Sequence, residues 1–176
     1  MAESLAVRGA IRGAPSFASV AERHLDDVYG YLLYLTGDAT VAEDLTGETF
    51  ERALRRWRRF DPRRGSAKTW LCQLARSTAL DHFRSERRRR RREEVAGGWE
   101  REEAEGRFGE GLSAELEDAL RRLSAGEREV IALRVLLDLD DAAAARLLGI
   151  SKSACSTRLS RALAKLEGFV KGDVHV

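Results

Sequence analysis

DDAAAARLLGISKSACSTRLSRALAKL, residues 140–166, decides the fold. An acid opens AAAARLL, where Asp140 or Asp141 can accept from the first free backbone N–H groups of a helix. Gly149 then ends it, because glycine adopts the left-handed turn that closes helices. Ser151 caps a second helix that runs to about Phe169, with Cys155, Leu159, Ala162, Leu163 and Leu166 inward. Helix, tight turn, capped helix opening on small polar residues is the helix-turn-helix pattern. Its second helix reads bases in the major groove with its N-terminal residues. The outward candidates are Lys152, Ser153, Ser156, Thr157 and Arg161, with Arg158 reaching phosphate or a base edge. From pattern alone, a helical hairpin in an ordinary bundle stays open as an alternative.

Upstream, the helical period continues. Ser124-Ala125-Gly126-Glu127 reads as a capping box before EREVIALRVLL. Leu116, Ala119, Leu120 and Leu123 make a short amphipathic helix ahead of it. Residues 93–112 have no period; glutamates and glycines dominate them. Seven acids, Glu93, Glu94, Glu100, Glu102, Glu103, Glu105 and Glu110, face only Arg101 and Arg107. This is an acidic tether, whose charge suits a positively charged channel built for nucleic acid.

Before the tether lies a second helical unit, residues 16–92. Phe17, Val20, Ala21, Leu25, Val28, Leu32 and Leu35 form one stripe, broken at Thr36-Gly37-Asp38. Val41, Leu45, Thr49, Ala53 and Trp57 form another, ended by the turn Phe60-Asp61-Pro62-Arg63-Arg64-Gly65. A third helix starts near Ser66, with Trp70, Leu71, Leu74, Ala75, Thr78 and Phe83 inward, and runs into ERRRRRREE at 86–94. Residues 1–15 read as a frayed leader. No strand pattern occurs, so the expected fold is all-α, with two small helical domains joined by a flexible linker.

Charge is distributed unevenly. The chain's net charge of +2 hides sixteen basic and four acidic residues between 51 and 92, beside a net acidic segment on either side. The arginines interleave with Trp57, Phe60, Trp70 and Phe83. Cations beside aromatic rings suit partly single-stranded DNA, although Trp57 and Phe83 read more simply as core. Cys72 and Cys155 are far apart, without metal-ligand spacing, and read as buried thiols in a reducing compartment. No apolar run approaches the roughly 20 residues of a membrane span, and no secretory signal opens the chain. The expected location is cytoplasmic, without membrane insertion. His24, His82 and His175 are scattered, and no phosphate loop or nucleophile–base order appears, so no enzyme, metal or cofactor is expected.

Three ordered blocks now resemble one family. DATVAEDLTGETF (38–50) resembles the region 2 segment of sigma-70-family factors that docks on RNA polymerase. TWLCQLARSTALDHFR (69–84) resembles that family's promoter-melting helix. LRRLSAGEREVIALRVLLDL (120–139) with LLGISKSACSTRLSRALAKL (147–166) resembles region 4. Order and short length point to the extracytoplasmic-function (ECF) group. The resemblance implies that Glu43, Asp44, Leu45, Glu48, Thr49 and Phe50 bind the clamp helices of the largest polymerase subunit. It implies that Arg63, Arg64, Lys68, Trp70, Gln73, Arg76, Ser77, Asp81 and Arg84 serve the −10 element, with a pocket for an unstacked base. Region 4 would sit on the flap of the second-largest subunit and read the −35 element through Lys152, Ser153, Ser156, Thr157, Arg158 and Arg161. An anti-sigma factor is an implied further partner.

Several residues depart from the family pattern. Gly47 stands where Gln is usual, and Ser77 where Asn is usual. Ala143-Ala144-Ala145 replaces Glu-Ile-Ala, Ala154 replaces Thr, and Cys155 replaces Val. The competing reading is a stand-alone helix-turn-helix regulator with an N-terminal dimerisation domain, which leaves the −10-like block unused.

Overall fold

The computed structural model describes residues 15–95, Phe108 and residues 112–172, and every regular element among them is helical. Three helices form the first unit: α1 Phe17–Thr36, α2 Ala39–Arg56 and α3 Ala67–Val95. Four form the second: α4 Ala114–Arg122, α5 Ala125–Ile131, α6 Asp141–Leu148 and α7 Lys152–Lys171. No helix among the described residues is long and apolar enough to cross a membrane. The leader, apart from Pro15, and nearly all of the tether lie outside the described residues.

Local chemistry sets the helix ends. Ser16, Asp38, Ser113, Ser124, Asp140 and Ser151 each accept a backbone N–H of their own first turn. Each such cap stabilises by about 1 kcal/mol. Ser66 does the same for α3, accepting from Thr69 N at 3.1 Å. Gly37 and Gly149 close α1 and α6 at φ 68° and 67°, where a Cβ would be strained.

α1, α2 and α3 pack around Val28, Tyr31, Leu32, Leu45, Ala53, Leu71, Cys72 and Ala75, all buried. The second unit closes on Leu120, Leu123, Val130, Leu133, Leu137, Ala144, Cys155 and Ala162. Burying each larger aliphatic chain is worth roughly 1.5–3 kcal/mol, so these two clusters outweigh any surface ion pair. Burial pushes the Cys72 thiol up to about 12 and raises that of Cys155 too, so both stay unreactive packing groups.

The structure differs from the sequence reading in four places. EREVIALRVLL is not one α-helix: α5 stops at Ile131 and widens into a π-turn, Ala132–Leu136. Arg134 holds the exit from that turn, donating to the Leu139 carbonyl and pairing with Asp141 at 3.1 Å. Helix α3 runs through the expected stretch 86–94 to Val95, so its end overlaps the start of the segment read as without period. Trp57 leaves α2 for a 3₁₀ turn, Trp57–Arg59. Leu25, Phe83 and Leu163, expected inward, are exposed; in the case of Phe83 this is because no described side chain of α3 beyond Ala79 is buried.

The two units touch. Glu129 on α5 accepts from Arg76 on α3, Nε to Oε1 at 2.7 Å and Nη2 to Oε2 at 3.3 Å. The Tyr31 hydroxyl of α1 donates to the same Oε1 at 3.3 Å. Phe108, from the tether, packs its ring 5.6 Å from Tyr34 and lies under the Arg128 guanidinium at 5.7 Å.

Candidate functional site

Helix α2 presents the first candidate face. Glu43, Asp44 and Glu48 are exposed along it, and Phe50 is half-buried at its end. Glu48 Oε1 holds the Arg52 guanidinium at 2.5 Å. Leu45 and Thr49, expected among the partner-binding residues, are buried in the core of the free chain, where Thr49 donates its hydroxyl to the Leu45 carbonyl at 2.7 Å. The i, i+4 period turns them inward while the acids beside them turn out.

The turn before α3 and the start of α3 form the second face. Trp57 stacks on Phe60 at 5.0 Å and 14°, Phe17 meets Trp57 edge-on at 5.5 Å, and Trp70 closes on both at 5.9 and 5.2 Å. This box fixes the turn, and Arg63 and Arg64 project from it, exposed. Beside the rings lies a cavity of about 380 Å³, lined by Arg59, Phe60, Asp61, Arg64, Gly65, Thr69, Trp70 and Gln73, and across it by Arg146 and Leu147 of α6. Aromatic faces and guanidinium groups at one cavity suit a purine or pyrimidine ring with its phosphate.

Further along α3, Gln73 and Ser77 are exposed. Lys68 is engaged with Asp27 at 3.1 Å. Burial raises the Asp27 carboxyl, but the bonds from His24 and Lys68 outweigh it and hold the group below its usual range. Asp81 pairs with Arg52 at 3.3 Å and with Arg84 at 3.6 Å. Beyond it, Arg84, Arg87, Arg88, Arg90, Arg91 and Arg92 are exposed, the phosphate-rich partner's footprint expected of a basic helix.

The third face is the start of α7. Lys152, Ser153, Ser156, Thr157 and Arg161 are exposed on its first turns. Ser151 and Ser153 hydroxyls lie 3.1 Å apart, and Ser156 donates to the Lys152 carbonyl at 3.1 Å. Arg158 is half-buried and leans over α5, with Nη1 3.6 Å from where a Cβ on Gly126 would sit. It therefore supports the hairpin as well as facing outward. No group of three or more His, Cys, Asp or Glu suited to a metal occurs among the described residues.

Comparison with known proteins decides what these faces belong to. Residues 20–89 match the family model for Sigma-70 region 2, and residues 113–166 that for Sigma-70, region 4. The chain is 33% identical over 160 residues to the ECF RNA polymerase sigma factor SigC of Mycobacterium tuberculosis, covering 89% of this chain and 83% of SigC. The chain belongs to the ECF group of sigma-70-family RNA polymerase sigma factors. It is also similar to the ECF sigma factor BldN of Streptomyces coelicolor, at 36% identity over 166 residues, which is 92% of this chain but 63% of BldN. Its fold matches that of the sigma factor RpoE solved in complex with the anti-sigma factor NepR from Bartonella quintana, with a TM-score of 0.70, 26% identity, and 90% and 98% of the two chains covered.

Within this sigma factor, sequence reasoning missed Tyr31, Glu129, Arg146 and Leu147. Each looks like an ordinary helix residue in its own segment. Only the approach of α5 and α6 to the first unit gives them a role, and no local period carries that information.

Proposed function

We propose that this sigma factor binds core RNA polymerase and directs promoter-specific initiation, with the first unit serving the −10 element and the second the −35 element. The observation that carries this is the pairing, in one chain, of an exposed acidic face on α2 with two separate surfaces whose chemistry suits DNA. One is the aromatic cavity at the turn before α3; the other is the capped start of α7. Glu43, Asp44 and Glu48, with Phe50 beside them, engage the clamp helices of the largest subunit. Arg63, Arg64, Trp70, Gln73, Arg76, Ser77 and Arg84 capture the −10 strand, and Asp81 orients Arg84. Extruding a base costs a few kcal/mol, which stacking and hydrogen bonding in the cavity offset. Lys152, Ser153, Ser156, Thr157 and Arg161 read the −35 duplex, and the second unit rests on the flap of the second-largest subunit.

The factor binds and does no covalent chemistry of its own, and it works in the cytoplasm beside the polymerase. RpoE is held by an anti-sigma factor, and a partner of that class fits this chain as well. The test is reconstitution. The purified chain co-elutes with core polymerase and the complex yields run-off transcripts from a subset of promoters. Tight binding to duplex DNA without polymerase, and no co-elution, would favour a stand-alone regulator instead.

A further inference from the structure

Arg76 on α3 is taken up at the seam between the two units, where Glu129 accepts from it. About two turns earlier on the same helix, Lys68 is bound within the first unit instead. Its ammonium lies 3.1 Å from Asp27 Oδ1 on α1, and Asp27 Oδ2 lies 2.9 Å from Nδ1 of His24, one turn back along α1. The lysine, aspartate and histidine side chains are only 25%, 29% and 15% exposed. Burial alone would raise the Asp27 carboxyl; the bonds from His24 and Lys68 outweigh it and keep the group ionised. Lys68 stands one turn before the buried Cys72, on the side of α3 that packs on α1. A lysine placed so can bury its stem and keep its head toward water. The next two residues, Thr69 and Trp70, line the aromatic cavity, and Arg63 and Arg64 project from the turn just before it.

We propose that Asp27 is a positioning residue for the −10 strand: it fixes the Lys68 ammonium beside the aromatic cavity, where the ammonium meets one backbone phosphate of the strand whose base the cavity takes. The proposal rests on the functional reading above for what the cavity binds. An ammonium has three N–H donors, so a lysine held by one carboxylate still has donors for a phosphate oxygen. A free surface lysine must give up the motion of a four-carbon stem to make that contact; here the fold has already restricted it. Asp27 also cancels much of the lysine's charge at a distance, so Lys68 adds little to attraction toward DNA at large and acts on contact. The two devices at the start of α3 thus divide the work. The rings of Phe17, Trp57, Phe60 and Trp70 shape a seat for a base, and stacking tolerates any base. A phosphate contact at a fixed place sets the register in which the strand enters that seat.

The experiment uses holoenzyme reconstituted from core polymerase and the full chain, on a promoter fragment whose −10 region is held open by mismatches. Single methylphosphonate linkages, each removing one phosphate charge, are moved along each strand of the open region. In the parent, one position should weaken binding more than its neighbours do. Lys68→Met should weaken binding of the unmodified fragment roughly tenfold, as for one charge-assisted hydrogen bond, and should be indifferent to methylphosphonate at that position. Asp27→Asn should weaken it roughly threefold, the size of freezing one long side chain, and leave binding to a duplex without a −10 element unchanged. Asp27→Lys with Lys68→Asp remakes the ion pair but puts the ammonium on α1. The melting temperature should recover in this exchange, and binding of the open fragment should not. Recovery of both would show that the pair only ties α1 to α3, and would overturn the proposal. So would a Lys68→Met profile that keeps every methylphosphonate penalty, or tighter binding of the open fragment by Asp27→Asn. A parent holoenzyme that does not prefer the open fragment to duplex would sink the functional reading itself, and the proposal with it.

Discussion

The Arg52 guanidinium joins two faces of the first unit, with Nη2 2.5 Å from Glu48 Oε1 on its own helix and Nη1 3.3 Å from Asp81 Oδ2 on α3. The acid proposed to meet polymerase is thus linked through two ion pairs to a residue proposed for the DNA side. Glu48 and Asp81 are exposed and Arg52 is half-buried, so the chain of pairs adds about 1 kcal/mol to folding. Glu48 is therefore free to exchange Arg52 for a basic partner at little cost. Asp44→Lys with Glu48→Lys should leave the helical circular dichroism and melting temperature nearly unchanged. It should weaken core polymerase binding by ~1–3 kcal/mol, read by titrating a labelled factor with polymerase. An unchanged affinity would take these acids off the interface.

The exposed side chains of α7 should divide into two classes. Arg161→Ala, if the side chain reads a base edge, should cost ~1–3 kcal/mol and relax preference at a single promoter position. Lys152→Ala, as a phosphate contact at the helix start, should weaken all sequences alike and lower the salt slope by about one unit. Arg158→Ala should behave differently from both, lowering the melting temperature as well, because that side chain leans over α5. Holoenzyme binding to a panel of −35 variants at several salt concentrations separates the classes. Equal loss on every sequence for Arg161→Ala would reassign it to the backbone.

Gly47 lies in the interior of α2, exposed, with no atom within 4 Å of an added Cβ and no positive φ. Nothing in the fold requires glycine there. Gly47→Ala should stabilise the protein by roughly 0.5–1 kcal/mol by reducing the freedom of the unfolded chain and favouring helix. Thermal unfolding should show a rise of a few degrees. A fall would mean that α2 needs the backbone freedom that glycine gives.

The parts of the fold legible in the sequence were those set by neighbours in the chain. Ser124, Asp140 and Ser151 cap helices because their donors lie three residues on. Gly37 and Gly149 close helices for an equally local reason. Periodicity located the cores but blurred where a stripe leaves them: Leu25, Phe83 and Leu163 keep the spacing and yet face solvent. Leu45 and Thr49 were grouped with the neighbouring acids through the family resemblance; one-hundred-degree steps along the helix turn them into the core instead. The π-turn after Ile131 has no compositional mark. The seam was invisible because its pairings join residues 53 and 98 positions apart, Arg76 and Tyr31 with Glu129. A single sequence records which residues can pair, and the approach of two folded units selects which do.

Glu127 offers a pH test of the second unit. Its Oε2 accepts from the Ser124 backbone N–H at 2.9 Å and from the Ser124 hydroxyl at 2.8 Å, while Oε1 takes the Lys165 ammonium of α7 at 2.5 Å. It completes the box in which Ser124 Oγ accepts from Glu127 N. The ammonium of Lys165 and the bonds from Ser124 hold the carboxyl down at about 2, against an ordinary value of 4.5. A carboxyl depressed on folding contributes stability that is complete above its unfolded value and is lost as pH falls through its folded one. The difference in melting temperature between the parent and Glu127→Gln should therefore be level from neutral pH down to about 4.5. It should shrink from there toward pH 2, where the parent's carboxyl is itself protonated. Lys165→Met should remove much of that pH dependence in the parent, since the ammonium is the largest cause of the shift. Ser124→Ala should cost ~1 kcal/mol of its own by leaving the first turn of α5 uncapped. Differential scanning calorimetry across this range reads all three, and a difference curve that is flat from pH 7 to pH 2 would show that Glu127 neither caps α5 nor ties it to α7.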